Sequence, residues 1–224
     1  MTGAVAACLT GAGLAAGPVG SVASSAAVAG RFHSGRRVGN CPESLATWRV
    51  CGTSGEMTSA VAGLLGGVPQ TTGDGTEVVT SSASVRVVLA GAPAVATELR
   101  LWGTKGLEHH CDGVLFLSPA SRRGTPCGCP ASPAGRAELA RSLRAPQPDT
   151  TVTFRLADAY GLGEFVFSSP SQLLADDTPG IRERLGEIGG ETLAELAIEL
   201  VTVALGGVEV SFRKTTLTVI GPWG

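Results

Sequence analysis

The feature that most restricts this chain is a Gly-, Pro- and Ser-rich connection holding two of its three histidines and three of its six cysteines. It reads His109-His110-Cys111-Asp112-Gly113, then Gly124-Thr125-Pro126-Cys127-Gly128-Cys129-Pro130. Thiols gathered by tight turns can clamp a metal, and zinc favours four S or N ligands in a tetrahedron. In extended chain, residues i and i+2 point to one side. His109 with Cys111, and Cys127 with Cys129, can therefore each face one ion. The bland alternative is three reduced cysteines in a surface loop, because no Cys-x-x-Cys pair is present.

The rest of the chain must bury an ordinary core. It has 224 residues, 43% of them hydrophobic and 16% charged, enough for one sizeable core or two small ones. Thirty-two glycines and 13 prolines favour short elements. A formal charge of −2 supplies no global field toward nucleic acid, and the composition fits a soluble cytoplasmic protein. Six cysteines in this length are too sparse for a disulfide scaffold, so Cys41 and Cys51 read as ordinary small residues.

Residues 1–30 carry no charged side chain and read as a disordered Ala/Gly-rich leader. A secretory signal cleaved after Ala27-Val28-Ala29 is the sharper alternative. No Lys or Arg opens it, and glycines interrupt any apolar helix. Arg31-Phe32-His33-Ser34-Gly35-Arg36-Arg37 is a basic run that can grip phosphate or simply end a solvated strand. Thr47–Val50 reads as a strand. Ser54 caps a helix with Met57, Val61, Leu64 and Leu65 on one face, stopped by Gly66-Gly67.

Strands are expected over 76–80, 84–89 and 97–102, the last alternating polar and apolar from Glu98 to Leu101. Pro133 begins a helix with Leu139, Ala140 and Leu143 on one side and Arg136, Arg141 and Arg144 as its basic residues. Strands follow over 151–158 and 164–167; the Gly161-Leu162-Gly163 between them lacks a third glycine, and a strand follows it, so it is no dinucleotide loop. Thr178-Pro179 reads as an N-cap and first helical residue, with Ile181, Leu185 and Ile188 as the buried stripe. Asp176-Asp177 then sits just before a helix start, where the dipole favours acids. The tail reads as a hairpin, 195–205 and 208–212 about Gly206-Gly207, although 193–200 also fits a helical period; a final strand covers 216–220. The expected class is α+β: a β-rich mixed or antiparallel sheet, a few short helices and a Cys/His loop. A single domain is expected over 31–224, with a Cys-rich insert at about 106–146.

No constellation compels catalysis. Gly-x-Ser-x-Gly is absent, and three histidines, two of them adjacent, offer no evident triad. A metallohydrolase would need an open metal position and a base, with Glu108 or Asp112 nearest, whereas a cysteine-rich ligand set favours a closed structural site.

The segments Arg31-Phe32-x-Ser34-Gly35, Trp48-Arg49-Val50 and Ala62-x-Leu64-Leu65-Gly66-Gly67 come first in an ordered series. Leu101-Trp102-Gly103, Cys111-Asp112-Gly113 and Gly124-Thr125-Pro126-Cys127-x-Cys129-Pro130 follow. Phe154-Arg155-Leu156-Ala157-Asp158, Leu162-Gly163-x-Phe165 and Val219-Ile220-Gly221-Pro222 complete it. In this order the chain resembles the recombination directionality factors that accompany large serine integrases of actinobacterial phages. The resemblance implies a non-enzymatic regulator that binds an integrase on attachment-site DNA, touches DNA itself little or not at all, and permits excision while inhibiting integration. The leader departs from the charged one expected of the family. A further cysteine expected near 145–149 is also absent, leaving His109, His110 or Asp112 to complete a zinc shell with Cys111, Cys127 and Cys129; His109 is the choice made here. Two other readings stand beside it: a metal-dependent hydrolase, and a zinc-stapled nucleic-acid module using Arg31, Arg36, Arg37, Arg122 and Arg123.

Overall fold

The computed structural model describes residues 28–39, 41–73, 75–141, 145–206 and 208–224. Almost all of the leader, residues 1–27, lies outside them, as do Leu143 and Arg144 of the expected second helix. The chain is α+β as expected, built on a mixed, largely antiparallel sheet. Its strands are β1 (Gly30–Val38), β2 (Cys41–Gly52), β3 (Pro69–Thr72), β4 (Gly75–Val79), β5 (Ser84–Leu89) and β6 (Val95–Gly103). The second half adds β7 (Gly106–Cys111), β8 (Phe116–Ser118), β9 (Gln147–Leu156), β10 (Glu164–Ser169), β11 (Thr192–Leu205) and β12 (Val208–Pro222). Helices α1 (Gly55–Leu65), α2 (Pro133–Ala140) and α3 (Gln172–Ile188), with two short 3-10 turns at Ala92–Ala94 and Ala157–Leu162, complete the described elements.

The sheet runs β12-β11-β5-β9-β10-β1-β2-β4-β3. β1 and β10 run parallel, and the other pairings of the described residues are antiparallel. β9 divides one edge between two partners: its first half pairs with β6 and its last two residues with β5. β6 in turn carries β7, and β7 carries β8, so the Cys/His stretch hangs from the sheet as a side flap. β2 also touches β11 and β12 although four strands separate it from β11, so the main sheet curls around its core.

Few aromatics suffice because they are concentrated. Phe32, Trp48, Phe154, Phe165 and Phe167 are all buried, with edge-on contacts at ring centroids 5.3 to 5.7 Å apart. Such pairs add to the burial of their area. Met57 and Val61 of α1, and Leu174 and Leu185 of α3, join the same cluster.

Ser54 caps α1 as expected, its hydroxyl accepting from Met57 N at 3.2 Å. Leu64, placed on the packed face by period, is exposed, and Thr58 is buried instead because its hydroxyl finds the Ser54 carbonyl at 2.9 Å. The largest correction concerns α3. It begins at Gln172, where the Ser171 hydroxyl accepts from Leu174 N at 3.4 Å, so Thr178 and Pro179 lie inside the helix. Pro179 is exposed and takes the amide donor from the Ala175 carbonyl one turn back, while the buried Thr178 hydroxyl donates to the Leu174 carbonyl at 2.9 Å. Asp176 and Asp177 are accordingly exposed mid-helix residues, not helix-start acids.

Leu139 of α2 is 42% exposed, so the expected apolar side of that helix is not covered at this residue. The tail is the hairpin, not the helix: Leu205 pairs with Val208 across the tight turn, and 216–220 continues β12 without a break. The Cys51 thiol, at the end of β2, donates to Glu77 Oε2 at 3.7 Å.

Candidate metal centre

The flap builds its site from strand alternation and two turns. β7 pairs with β6 through Leu99↔Cys111, Arg100↔His110 and Leu101↔His109. Alternation sends His109 and Cys111 to one side and His110 to the other. The Asp112 carboxylate then makes the reversal: its Oδ1 accepts from Val114 N at 2.8 Å and Leu115 N at 2.7 Å. Those amides, that of Leu115 first, hold the Asp112 carboxyl below its ordinary value. Gly113, at φ 96°, takes a backbone conformation that a side chain would strain.

A hairpin then returns the chain. Phe116 N donates to Thr125 O at 2.9 Å, Gly124 N to Phe116 O at 2.9 Å, and Cys127 N to Val114 O at 2.9 Å. That ladder carries Cys127 and Cys129 back beside β7. The second pair does not converge through extended backbone as the spacing suggested: Gly128 at φ 76° turns the chain between them. Cys129 N then donates to the Cys127 sulfur at 3.5 Å.

The four donor atoms of His109, Cys111, Cys127 and Cys129 all lie within 4.8 Å of one another. His109 Nε2 is 3.1 Å from Cys111 Sγ and 3.4 Å from Cys129 Sγ; the two sulfurs are 3.7 Å apart. Bonds of about 2.3 Å to sulfur and 2.0–2.1 Å to nitrogen place tetrahedral ligand atoms roughly 3.4–3.8 Å apart. A disulfide would need about 2.05 Å, and all three cysteines are free thiols. Three sulfurs and one imidazole nitrogen at this spacing could hold a metal ion.

Burial foremost pushes the Cys111 and Cys129 thiols up; the Cys127 sulfur adds to both, whereas at Cys129 the bond with Cys111 pulls the other way. A cation must displace those protons. Burial first, then the positive Arg122 and the neighbouring His110, depresses His109, which favours the neutral ring that ligates metals. Phe116 packs on the His109 ring at 4.6 Å between centroids, and Arg122 lies 3.7 Å over the other ring of that pair.

His110 and Asp112, the other candidates for the fourth position, are engaged elsewhere. His110 shares hydrogen bonds with Ser118 Oγ at 2.9 Å and Glu98 Oε2 at 2.8 Å. Arg100 pairs with Glu98 and with Asp149, each at 2.6 Å, tying the flap to β9. Burial alone would raise Glu98, but hydrogen bonds from His110 and Arg100 outweigh it and hold the carboxyl below its ordinary value. Burial pushes Asp149 up despite Arg100. Sequence reasoning missed this network because it depends on the β6–β7–β9 register. The alternation of Glu98 and Arg100 with apolar neighbours was its one visible trace.

Glu108, the other base considered for a hydrolase, is exposed. The arginines of the nucleic-acid reading are divided. Arg36 pairs with Glu43 at 2.7 Å, Arg122 lies on Phe116, and Arg123 donates to Leu117 O at 2.9 Å. Among the described residues, no helix is long and apolar enough to cross a membrane.

Fold and site together define a β-rich α+β protein with a four-donor clamp on a side flap. The family model described as Gp3-like, recombination directionality factor-like, matches residues 29–215. The chain belongs to that family. No solved structure matches it.

Proposed function

We propose that this protein binds a large serine integrase on attachment-site DNA and switches it toward excision, acting as a directionality factor and not as an enzyme. The observation that carries the reading is family membership over residues 29–215. Physically the switch is a population shift. The factor must bind one arrangement of the recombinase better than another, and complete reversal of a 1:99 equilibrium needs about 5.5 kcal/mol of differential affinity. The net charge of −2 and the divided arginines favour contact through protein, with little direct grip on DNA.

Residues 31–224 form one working domain in this reading, with the insert at about 106–146 as its stapled flap, and the protein works in the cytoplasm. His109, Cys111, Cys127 and Cys129 would hold a structural zinc. The ion would cross-link strand and hairpin; three thiols and a histidine fill a tetrahedron without an open position for substrate. The support is the donor spacing and the separate occupation of His110 and Asp112.

The test is a mobility-shift titration with the cognate integrase and hybrid-site DNA. The protein should further retard the integrase–DNA complex and leave naked DNA unshifted at physiological salt. Retardation of naked DNA that weakens steeply with salt, and is independent of integrase, would transfer the case to the nucleic-acid module.

A further inference from the structure

We infer that the outer edge of β12 is a self-association surface, where a second copy of this chain pairs antiparallel about Ser211. β12 ends the strand order, with β11 hydrogen-bonded on one side and no described strand hydrogen-bonded on the other. β5 pairs with β11 only through Ala197, so the distal hairpin continues past the sheet as a two-stranded ribbon. Val208 is 64% exposed on it, and Val210 and Phe212 are also exposed. Such an edge offers a row of backbone donors and acceptors to another strand.

The occupant follows from the order of side chains. Glu209 and Arg213 stand two residues either side of Ser211, and Val210 and Phe212 one residue either side. A two-fold axis through Ser211 therefore sets Glu209 of each copy opposite Arg213 of the other, and Val210 opposite Phe212. Each residue of a pair shares a face with its opposite, as the strand period of two requires. Within the chain, Glu209 lies across from Ala204 and Arg213 from Leu200, and neither has an ion-pair partner among the described residues. Lys214 differs, lying 3.9 Å from Glu199 of its own hairpin. The distal part of β11 holds Glu199 as its only charge, so it has no such self-complementary order. A foreign strand would have to supply a matching base and acid at four-residue spacing; a second copy supplies them by symmetry.

Sedimentation equilibrium on the full chain over a range of concentrations tests this. Wild type should show a monomer–dimer equilibrium. Glu209→Arg and Arg213→Glu each place like charges opposite at two symmetric positions, and each should raise the dimer dissociation constant roughly tenfold or more. The double exchange Glu209→Arg with Arg213→Glu should restore it. Circular dichroism of all four proteins should coincide, because both residues are exposed. A wild type that stays monomeric throughout would overturn the proposal and leave the edge to another protein. So would a dimer indifferent to the single exchanges, or a double exchange that fails to recover association.

Discussion

At the scale of single residues, charge state is set by neighbours. His33 on β1 lies opposite Arg49 on β2. Burial chiefly, then the positive Arg49 and Arg31, lowers its pKa to about 4, against a weaker pull from Glu77. A histidine depressed on folding stays neutral in the native chain while the unfolded chain takes up a proton. Stability is therefore full above about pH 6.5 and falls as pH drops toward about 4, by roughly 1–3 kcal/mol in all. Urea unfolding across that window should show the slope, and His33→Gln should flatten it. The four clustered donors carry a second prediction. Purified wild type should hold close to one zinc per chain by elemental analysis, and the Cys127→Ser, Cys129→Ser double variant should hold almost none. Metal-free wild type, or equal metal in both, would remove the proposed ligands.

At the scale of elements, caps and registers decide what sequence pattern leaves open. The Ser54 cap was legible because a serine directly precedes a periodic apolar run. The start of α3 was not. Thr178-Pro179 has the local form of a helix opening, yet Ser171 caps the chain earlier and the Thr178 hydroxyl turns back onto the Leu174 carbonyl inside the helix. Pro179→Ala should thus restore an amide within an exposed helix face and raise stability by about 1–3 kcal/mol, measured by denaturant unfolding. Ser171→Ala should lower it by about 1 kcal/mol, and no change would deny the cap its role. In the flap, period-two alternation foretold that His109 and Cys111 share a side, while His110 stayed a candidate ligand until its bonds to Ser118 and Glu98 placed it elsewhere. The return of Cys127 and Cys129 was invisible, because backbone bonds to Val114, Phe116 and Thr125 steer it.

At the scale of the whole molecule, the α+β class was legible because β-branched runs are dense and the helical stripes short. The strand order was not: β1 lies beside β10, and β9 beside β5, β6 and β10, partners far apart in sequence. The curled sheet holds the aromatic cluster, and β9 bears the flap on its other edge through β6. A packed core, a flap with four clustered metal-ligating donors and a hairpin that runs past the sheet suit a molecule that works by binding. Removing a metal held by the four donors should loosen the flap first. Hydrogen exchange after chelation should speed up at the amides of residues 106–130 while those of β9 and β10 stay protected.

The proposed action of this protein is a change of direction in a larger partner. Its most direct measurement is recombination in vitro with the cognate integrase, titrating this protein against hybrid sites and, in parallel, against the parental attachment sites. Excision product from the hybrid sites should rise as integration product from the parental sites falls, over the same concentration range. Yields that stay flat in both reactions, with an integrase shown to be active, would contradict the account.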